Sequence, residues 1–206
     1  MALSTKNIAI LASGSGSNAQ AVMDACKQNE IAGVVRIIIS DNPKAYVLKR
    51  AEENNIKAVV ERDFEKIKNL LEQEKIDLIV LAGYLKILPT SFIRQFENKI
   101  INIHPSLIPS FCGEGFYGEH VHRAAIERGV KVSGCTTHFV NEIADGGPII
   151  FQKVVEVVQG DDYKTLAKRI LEQEHPLLVK SCKYFCEDRL EVRGHKVYIK
   201  EKKCEH

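Results

Sequence analysis

Short apolar segments rich in β-branched residues alternate along this chain with longer segments whose apolar residues recur at helical spacing. Such alternation is typical of βαβ units, in which helices connect and cover the parallel strands of one sheet. The predicted fold class is therefore α/β, with a single doubly wound, mostly parallel sheet that has helices on both faces. The pattern predicts strands at 8–11, 34–40, 58–60, 77–82, 99–103, 134–140 and 148–157, and helices at 18–28, 43–54, 119–128 and 163–186, with a further helix ending near residue 75.

The carboxyl-terminal part of the chain adds two local predictions. Pro176 should kink or divide the helix at 163–186, because its ring removes one backbone hydrogen bond and crowds the preceding turn. The segment 189–200 places short strand-like runs on both sides of Arg193-Gly194, which predicts a β-hairpin. The sequence contains no internal repeat, low-complexity segment or linker, so residues 1–206 are predicted to form one domain.

A composition of 45% hydrophobic and 27% charged residues is that of an ordinary globular protein. The net charge of +2 does not indicate a nucleic-acid partner, because proteins that bind the phosphate backbone concentrate Lys and Arg on one face. The first residues are polar and lead into a short strand, and no segment approaches the ~20 apolar residues of a membrane span. We therefore expect a cytoplasmic protein with six reduced cysteines and no membrane partner.

A glycine- and serine-rich loop at 12–18 lies between the first predicted strand and the first predicted helix. Free backbone N–H groups at the positive end of a helix favour the binding of a phosphate. Gly14 and Gly16 allow a positive φ or the close approach of a ligand, and Ser17 or Asn18 can cap the helix. The loop is therefore a candidate phosphate site.

The same loop satisfies the spacing of a dinucleotide-binding motif. Gly14, Gly16 and Ala19 match its relaxed form, and Asp41 follows the second predicted strand, where an acid that binds ribose is expected. The loop alone is thus compatible with a nicotinamide cofactor, with a single phosphate, or with a tight turn that binds nothing.

The stretch 102–109 is the most informative part of the sequence. Asn102 and His104 are two apart in a strand, so both side chains face the same side at its carboxyl end, where open α/β sheets bind ligands. Pro105 and Pro109 stiffen the backbone around them. An amide N–H beside an imidazole that can be cationic is suited to stabilising an oxyanion at an acyl carbon. The alternative is a purely structural pair that satisfies the end of the strand.

A second polar turn, with Asp145 before Gly146 and Gly147, lies between two predicted strands. If Asp145 reaches His104, its charge raises the pKa of the imidazole, and the carboxylate can relay protons through water. The alternative is an ordinary Asp-Gly hairpin turn. No serine or cysteine stands in a nucleophile-elbow sequence, which favours direct transfer over a covalent acyl-enzyme.

The segments 14–18, 81–84, 102–107 and 145–150 resemble, in order and spacing, the motifs of the glycinamide ribonucleotide formyltransferases, a folate-dependent family with a Rossmann-like fold. The similarity extends from about residue 6 to about residue 186. The resemblance implies transfer of the formyl group of 10-formyltetrahydrofolate to the amine of glycinamide ribonucleotide in de novo purine biosynthesis. It also implies that no metal is required, and it is compatible with a monomer or a homodimer.

The resemblance also implies roles for individual residues. The catalytic residues of the family correspond to Asn102, His104 and Asp145. The phosphate-binding turn of the family corresponds to Gly16, Ser17 and Asn18. The glutamate that binds the ribose of the ribonucleotide corresponds to Glu174. Its contacts to the folate correspond to Leu85, Lys86, Ile87, Leu88 and Asn102, with Lys66 as the expected basic contact and Arg62 as the alternative. The family often has Met-Arg where this chain has Leu85-Lys86, so a bidentate contact there is expected to be weaker.

The sequence departs from the family pattern at 111–118, where a longer loop with three glycines replaces a short Pro-Gly loop. His120 and His122 follow it and could indicate a metal, but two side chains two apart on a helix diverge, so no metal site is predicted. Two other functions remain possible, a nicotinamide dehydrogenase and a phosphosugar-binding protein without activity. Related formyl enzymes that act on methionyl-tRNA or hydrolyse formyl-folate are expected to carry a further domain.

Overall fold

The computed structural model describes residues 5–201, and residues 1–4 and 202–206 of the predicted domain, among them Cys204, lie outside that range. The strands are β1 (Lys6–Leu11), β2 (Gly33–Ser40), β3 (Lys57–Val60), β4 (Leu78–Leu81), β5 (Ile100–His104), β6 (Val132–Phe139), β7 (Ile149–Glu156), β8 (Leu190–Arg193) and β9 (Lys196–Ile199). The helices are α1 (Ser17–Lys27), α2 (Tyr46–Glu53), α3 (Phe64–Gln73), α4 (Thr90–Gln95), α5 (Glu119–Arg128) and α6 (Tyr163–Cys186).

The described strands form one sheet in the order β3-β2-β1-β4-β5-β6-β7-β9-β8. The strands β3, β2, β1, β4 and β5 are mutually parallel, whereas β6 runs antiparallel to both of its neighbours, β5 and β7. Strand β9 is parallel to β7 at a single register pair, and β8 and β9 form an antiparallel pair at the edge of the sheet. The α/β class and the mostly parallel sheet predicted from the sequence are confirmed.

Apolar side chains alternate between the two faces of the sheet and form a core on each. Ile8 and Ile10 of β1 pack with α1, α2, α5 and α6, whereas Ala9 and Leu11 pack with α3 and α4. All four side chains are fully buried, as expected for a central strand with helices on both sides. The predicted doubly wound arrangement, with helices on both faces, is confirmed.

Three elements differ from the sequence-based prediction. Helix α4 was not predicted, because its six residues are too few to show a helical period. Helix α2 begins at Tyr46 and not at residue 43, because Asn42 holds residues 42–45 in a turn through Lys44 and Ala45. Pro176 was expected to kink or divide α6, and it does not divide the helix, which is continuous from Tyr163 to Cys186 and has buried residues on both sides of the proline.

The order of the strands reverses between β1 and β4, so the loops that follow these strands diverge and leave a crevice at their carboxyl ends. The two loops remain tied together, because Ser13 N–H donates to the Gly83 carbonyl at 3.0 Å and Leu85 N–H donates to Ser13 Oγ at 3.0 Å. Strand β5 ends beside this crevice, with His104 as its last residue. No helix within residues 5–201 is long and apolar enough to cross a membrane.

Candidate active site

Asn102 and His104 lie at the carboxyl end of β5, and both line one cavity together with Asp145. Across the antiparallel pairing, Asn102 is opposite His138 and His104 is opposite Thr136 of β6. Asn102 Nδ2 lies 3.1 Å from His138 Nε2. His138 Nδ1 donates to the Phe139 carbonyl at 2.8 Å, and this contact directs Nε2 towards Asn102.

Asp145 lies between two histidines. Its Oδ2 is 3.5 Å from His104 Nδ1, its Oδ1 is 3.5 Å from His138 Nε2, and Gly113 N–H donates to Oδ2 at 2.9 Å. Burial by itself would raise the pKa of the Asp145 carboxyl, but the His138 ring, the charge of His104 and the Gly113 amide together hold it below the ordinary value. The turn therefore presents an ionised carboxylate to both rings.

His104 is 4% exposed, and its Nε2 donates to the Phe111 carbonyl at 2.9 Å. Burial lowers the pKa of His104, and this effect exceeds the opposing effects of Asp145 and the Phe111 carbonyl. Asp145 raises the pKa of His104, as expected from the sequence, but the net shift of this pKa is downward. The reason is desolvation of the ring, which the sequence could not reveal.

The two histidines of α5 point apart. His120 is exposed, with its ring 5.2 Å from the ring of Tyr117. His122 is buried, and burial together with the proximity of His104 lowers its pKa to about 4. No group of three or more potential metal-ligating side chains occurs in residues 5–201.

The cavity has a volume of about 380 Å³, and its walls come from three loops. The segment after β4 contributes Leu85, Lys86, Ile87 and Leu88, of which Leu85 and Ile87 are exposed and Leu88 is buried. The loop before α5 and the turn that carries Asp145 supply the other two walls. The cavity is thus largely apolar, with the amide, imidazole and carboxylate at one end.

The structure does not bring every predicted contact to this cavity. Lys86 lies at its wall, donates to the Arg62 carbonyl at 3.2 Å and lies 5.5 Å from the ring centre of Phe64. Lys66 lies outside the lining, on the first turn of α3, with its ammonium 4.0 Å from Glu61. Arg62 is directed to the Asp41 carbonyl, 2.6 Å from its Nε.

The glycine loop precedes α1 as predicted, but its capping differs. Gly16 is the N-cap residue with φ 72°, and no side chain caps the helix, so the prediction that Ser17 or Asn18 does so was wrong. Helix α1 begins at Ser17, which places both residues inside its first turn. Gly16 has a positive φ and Gly14 does not. The first N–H groups of α1 consequently have no side-chain cap and stay available to an anion.

The Asn18 side chain is instead directed to Glu174 of α6, with Nδ2 donating to Oε2 at 2.6 Å. Both residues are buried, and burial raises the pKa of Glu174 despite this hydrogen bond. Within the described residues no partner reaches Asn18 Oδ1. Buried acceptors without a partner are costly, so this oxygen is suited to a donor on a bound molecule.

The glycine loop yields a prediction about stability. Gly16→Ala is expected to lower the free energy of unfolding by about 2 kcal/mol or more, because φ is positive and the new Cβ would lie 2.5 Å from Val47 Cγ2. Gly14→Ala is the matched control, since φ is not positive there and nothing lies within 4 Å of its Cβ. Urea unfolding measures both. Equal stability of the two variants would contradict this account of Gly16.

Two parts of the site were not predicted from the sequence. His138 contacts both Asn102 and Asp145, and the backbone of loop 111–118 contacts His104 and Asp145. Along β6, the side chain of His138 is on the same face of the sheet as that of Asn102 in β5. The alternation of side chains along β6 could therefore have identified His138 from the sequence. The backbone contacts of the loop cannot be predicted from its residue types.

A family model described as "Formyl transferase" matches residues 6–182. The chain belongs to this formyl transferase family. Membership of this family favours a formyl transferase over a nicotinamide dehydrogenase, the other enzyme class that the glycine loop had left open.

Individual members of the formyl transferase family are similar over most of the chain. It is 38% identical over 203 residues to the phosphoribosylglycinamide formyltransferase of Haemophilus influenzae, covering 94% of this chain and 93% of the relative. It is also 38% identical over 197 residues to the chloroplastic phosphoribosylglycinamide formyltransferase of Vigna unguiculata, of which it spans 62%. The structure of glycinamide ribonucleotide transformylase 1 from Symbiobacterium toebii has a TM-score of 0.91 at 38% identity, covering 96% of this chain and 95% of that one.

Proposed function

We propose that this chain transfers the formyl group of 10-formyltetrahydrofolate to the amine of glycinamide ribonucleotide, a step of de novo purine biosynthesis. The observation that carries the proposal is the convergence of Asn102, His104 and Asp145 at one end of an apolar cavity. The names of the similar proteins support the same activity. Because the activity needs two substrates, the site must hold a phosphoribosyl amine and a folate side by side.

The ribonucleotide is proposed to bind at the start of α1. Its phosphate would accept hydrogen bonds from the backbone N–H groups of Gly16, Ser17 and Asn18, favoured by the positive end of the helix. Its ribose hydroxyls would donate to Glu174 and to Asn18 Oδ1, which has no partner among the described residues. The Asn18 hydrogen bond fixes the Glu174 carboxyl for this contact.

The folate is proposed to occupy the cavity. Its pterin would lie against the backbone of 85–88, whose exposed apolar side chains Leu85 and Ile87 flank the opening. The Lys86 ammonium at the wall would attract the acidic tail. Lys66 could serve the same end of the molecule only from outside the cavity, so Lys86 is the better placed of the two. Asn102 would contact the formyl group itself.

The transfer forms one C–N bond and breaks another. The amine nitrogen attacks the formyl carbon, and the resulting oxyanion is stabilised by the Asn102 amide and by protonated His104. The proton leaves the attacking nitrogen and reaches N10 of the folate through water and Asp145, while the bond between the formyl carbon and N10 breaks. The products are formylglycinamide ribonucleotide and tetrahydrofolate, and the transfer uses no metal.

Three broader properties belong to the same proposal. The formyl-folate is a co-substrate that is consumed, and the protein acts as a monomer or homodimer in the cytoplasm without a nucleic-acid or membrane partner. Residues 1–206 form one formyltransferase domain, which is supported by the single sheet that the described strands form.

The test is an assay of the purified protein with glycinamide ribonucleotide and 10-formyltetrahydrofolate. Formation of the folate product is followed by absorbance, and formylated ribonucleotide is identified by mass spectrometry. Product is expected only when both substrates are present. Release of formate at the same rate without the amine would instead indicate a hydrolase, and tight binding of the ribonucleotide without any transfer would indicate a binding protein.

A further inference from the structure

The loop 111–118, which differs from the family pattern, contacts both members of the proposed proton-handling pair through its backbone. The Phe111 carbonyl accepts from His104 Nε2 at 2.9 Å, and Gly113 N–H donates to Asp145 Oδ2 at 2.9 Å. The loop is held in turn by its own contacts, including the ring of Phe111 against the ring of Phe116. We propose that loop 111–118 is a positioning element whose backbone holds His104 and Asp145 in the orientation that the proposed formyl transfer requires.

The distances show which contacts fix this pair. The direct contact between His104 Nδ1 and Asp145 Oδ2 is 3.5 Å, and that between Asp145 Oδ1 and His138 is also 3.5 Å. Both contacts are longer than good charge-assisted hydrogen bonds. The shortest contact of His104 and the shortest contact of Asp145 are those to loop 111–118. The orientation of each group is therefore set more by the loop than by the other group.

The loop also affects which protons His104 carries. A carbonyl can only accept, so His104 Nε2 must carry a proton to bond with Phe111. Its Nδ1 then faces Asp145, which is an acceptor as well. Both partners are thus satisfied only by the doubly protonated ring, which is the form proposed to stabilise the oxyanion. The Phe111 carbonyl raises the pKa of His104 and so favours the protonated ring, whereas burial lowers this pKa and favours the neutral ring.

Several titratable groups surround the pair, and they limit what a pH profile can show. His104 is influenced by Asp145, by His138 of β6 and by His122 of α5. Asp145 is influenced by both His104 and His138, and burial together with the charge of Asp145 raises the pKa of Cys112 in the loop. Neither Gly113 nor the Phe111 carbonyl titrates. A change confined to one backbone N–H therefore alters the pair without adding or removing a charge.

The experiment removes that single N–H. Glycolic acid in place of Gly113, introduced by semisynthesis, changes the amide to an ester and leaves every side chain intact. The matched control is glycolic acid in place of Gly160, which lies outside the cavity lining, has nearly the same φ, +91° against +87°, and also has open space around it. The Gly160 N–H makes no hydrogen bond in the described structure. Each ester replaces one amide in a loop, but only the first removes the contact to Asp145.

We expect the ester at 113 to lower kcat by about tenfold or more while KM for both substrates changes little, since misplacement of a reacting group costs rate. Loss of the N–H removes a hydrogen bond to the ionised carboxylate, so the pKa of Asp145 rises and the acidic limb of the kcat profile moves up by roughly one pH unit. The ester at 160 should match the wild type. Equal losses in both esters, or none in the ester at 113, would overturn the proposal.

A readout that needs no substrate separates this proposal from the proposed function. In the ligand-free protein, ¹³C NMR titration of the Asp145 carboxyl should give a higher pKa in the ester at 113 than in the wild type and in the ester at 160. An unchanged pKa would overturn the positioning role even if formyl transfer is observed.

Discussion

Asp145→Asn is expected to lower kcat by about a hundredfold while KM for both substrates stays within a few-fold of the wild type. Asn has nearly the shape of Asp, and its side-chain oxygen can still accept the Gly113 N–H, so the turn should be preserved. What disappears is the negative charge 3.5 Å from His104 Nδ1. The phosphate-binding turn and segment 85–88 are unaltered, which is why substrate binding should hardly change.

The pH dependence of this variant follows from the pKa of His104. Burial already holds that pKa below its usual 6.5, and the charge of Asp145 opposes the shift. Removing the charge lowers the pKa further, so the protonated ring survives only at lower pH. The residual activity of Asp145→Asn should therefore be lost first on the alkaline side, and its profile should lack the acidic limb that Asp145 contributes.

The control removes the same charge from a nearby position. Glu119 lies on the first turn of α5, its side chain is 64% exposed, and it pairs with Arg123 rather than with the site. Glu119→Gln should keep the rate and pH profile of the wild type. If Asp145→Asn kept full activity with an unmoved profile, Asp145 would be a turn residue only, and the proton path would have to be sought in water or in His138.

The sequence predicted most of the sheet because its parallel strands are buried on both faces and read as continuous apolar runs. The run at 77–82 and the strand β4 differ by only one residue at each end. Long amphipathic helices were equally clear, and α5 has the predicted bounds. Boundaries shifted where side chains made local turns, as at Asn42 before α2.

The distances between the site residues and the burial of their side chains could not be predicted from the sequence. The alternation in β5 predicted that Asn102 and His104 share a side, and both do line one cavity. The proximity of His138 to Asn102 depends on how β5 and β6 pair. The register between two strands that are separated by a long connection cannot be predicted from either strand alone. Likewise, residue types do not show where the backbone N–H groups of loop 111–118 point.

The downward shift of the His104 pKa shows why chemistry and burial must be considered together. The charge of Asp145 alone favours a cationic His104 ring, and this effect could be predicted from the sequence. Desolvation acts in the opposite direction and is stronger here. The negative charge that develops on a neighbouring oxyanion acts in the same direction as Asp145 and raises the pKa of His104, which favours the protonated ring during the transfer.

The largest losses of rate are expected from Asn102→Ala and His104→Ala, each at least a hundredfold in kcat. Both groups act on charge that exists only in the transition state, so KM for the ribonucleotide and for the folate should change far less than kcat. The double variant should lose less than the product of the two single losses, because both groups stabilise the same oxygen. Steady-state rates for the four proteins, measured with each substrate in turn, test this.

His104→Ala needs a separate check of folding, because the ring is buried and its loss leaves the Phe111 carbonyl without its donor. Its melting temperature should fall, whereas that of Asn102→Ala should fall less, since Asn102 is only partly buried. Rates are therefore compared well below both melting temperatures. His120→Ala is the matched control, an exposed histidine two residues from His122 that lies outside the cavity lining, and it should retain wild-type activity. Near-normal kcat in both Asn102→Ala and His104→Ala would refute the oxyanion assignment, because no other side-chain amide and imidazole in the cavity lining stand together at the end of β5.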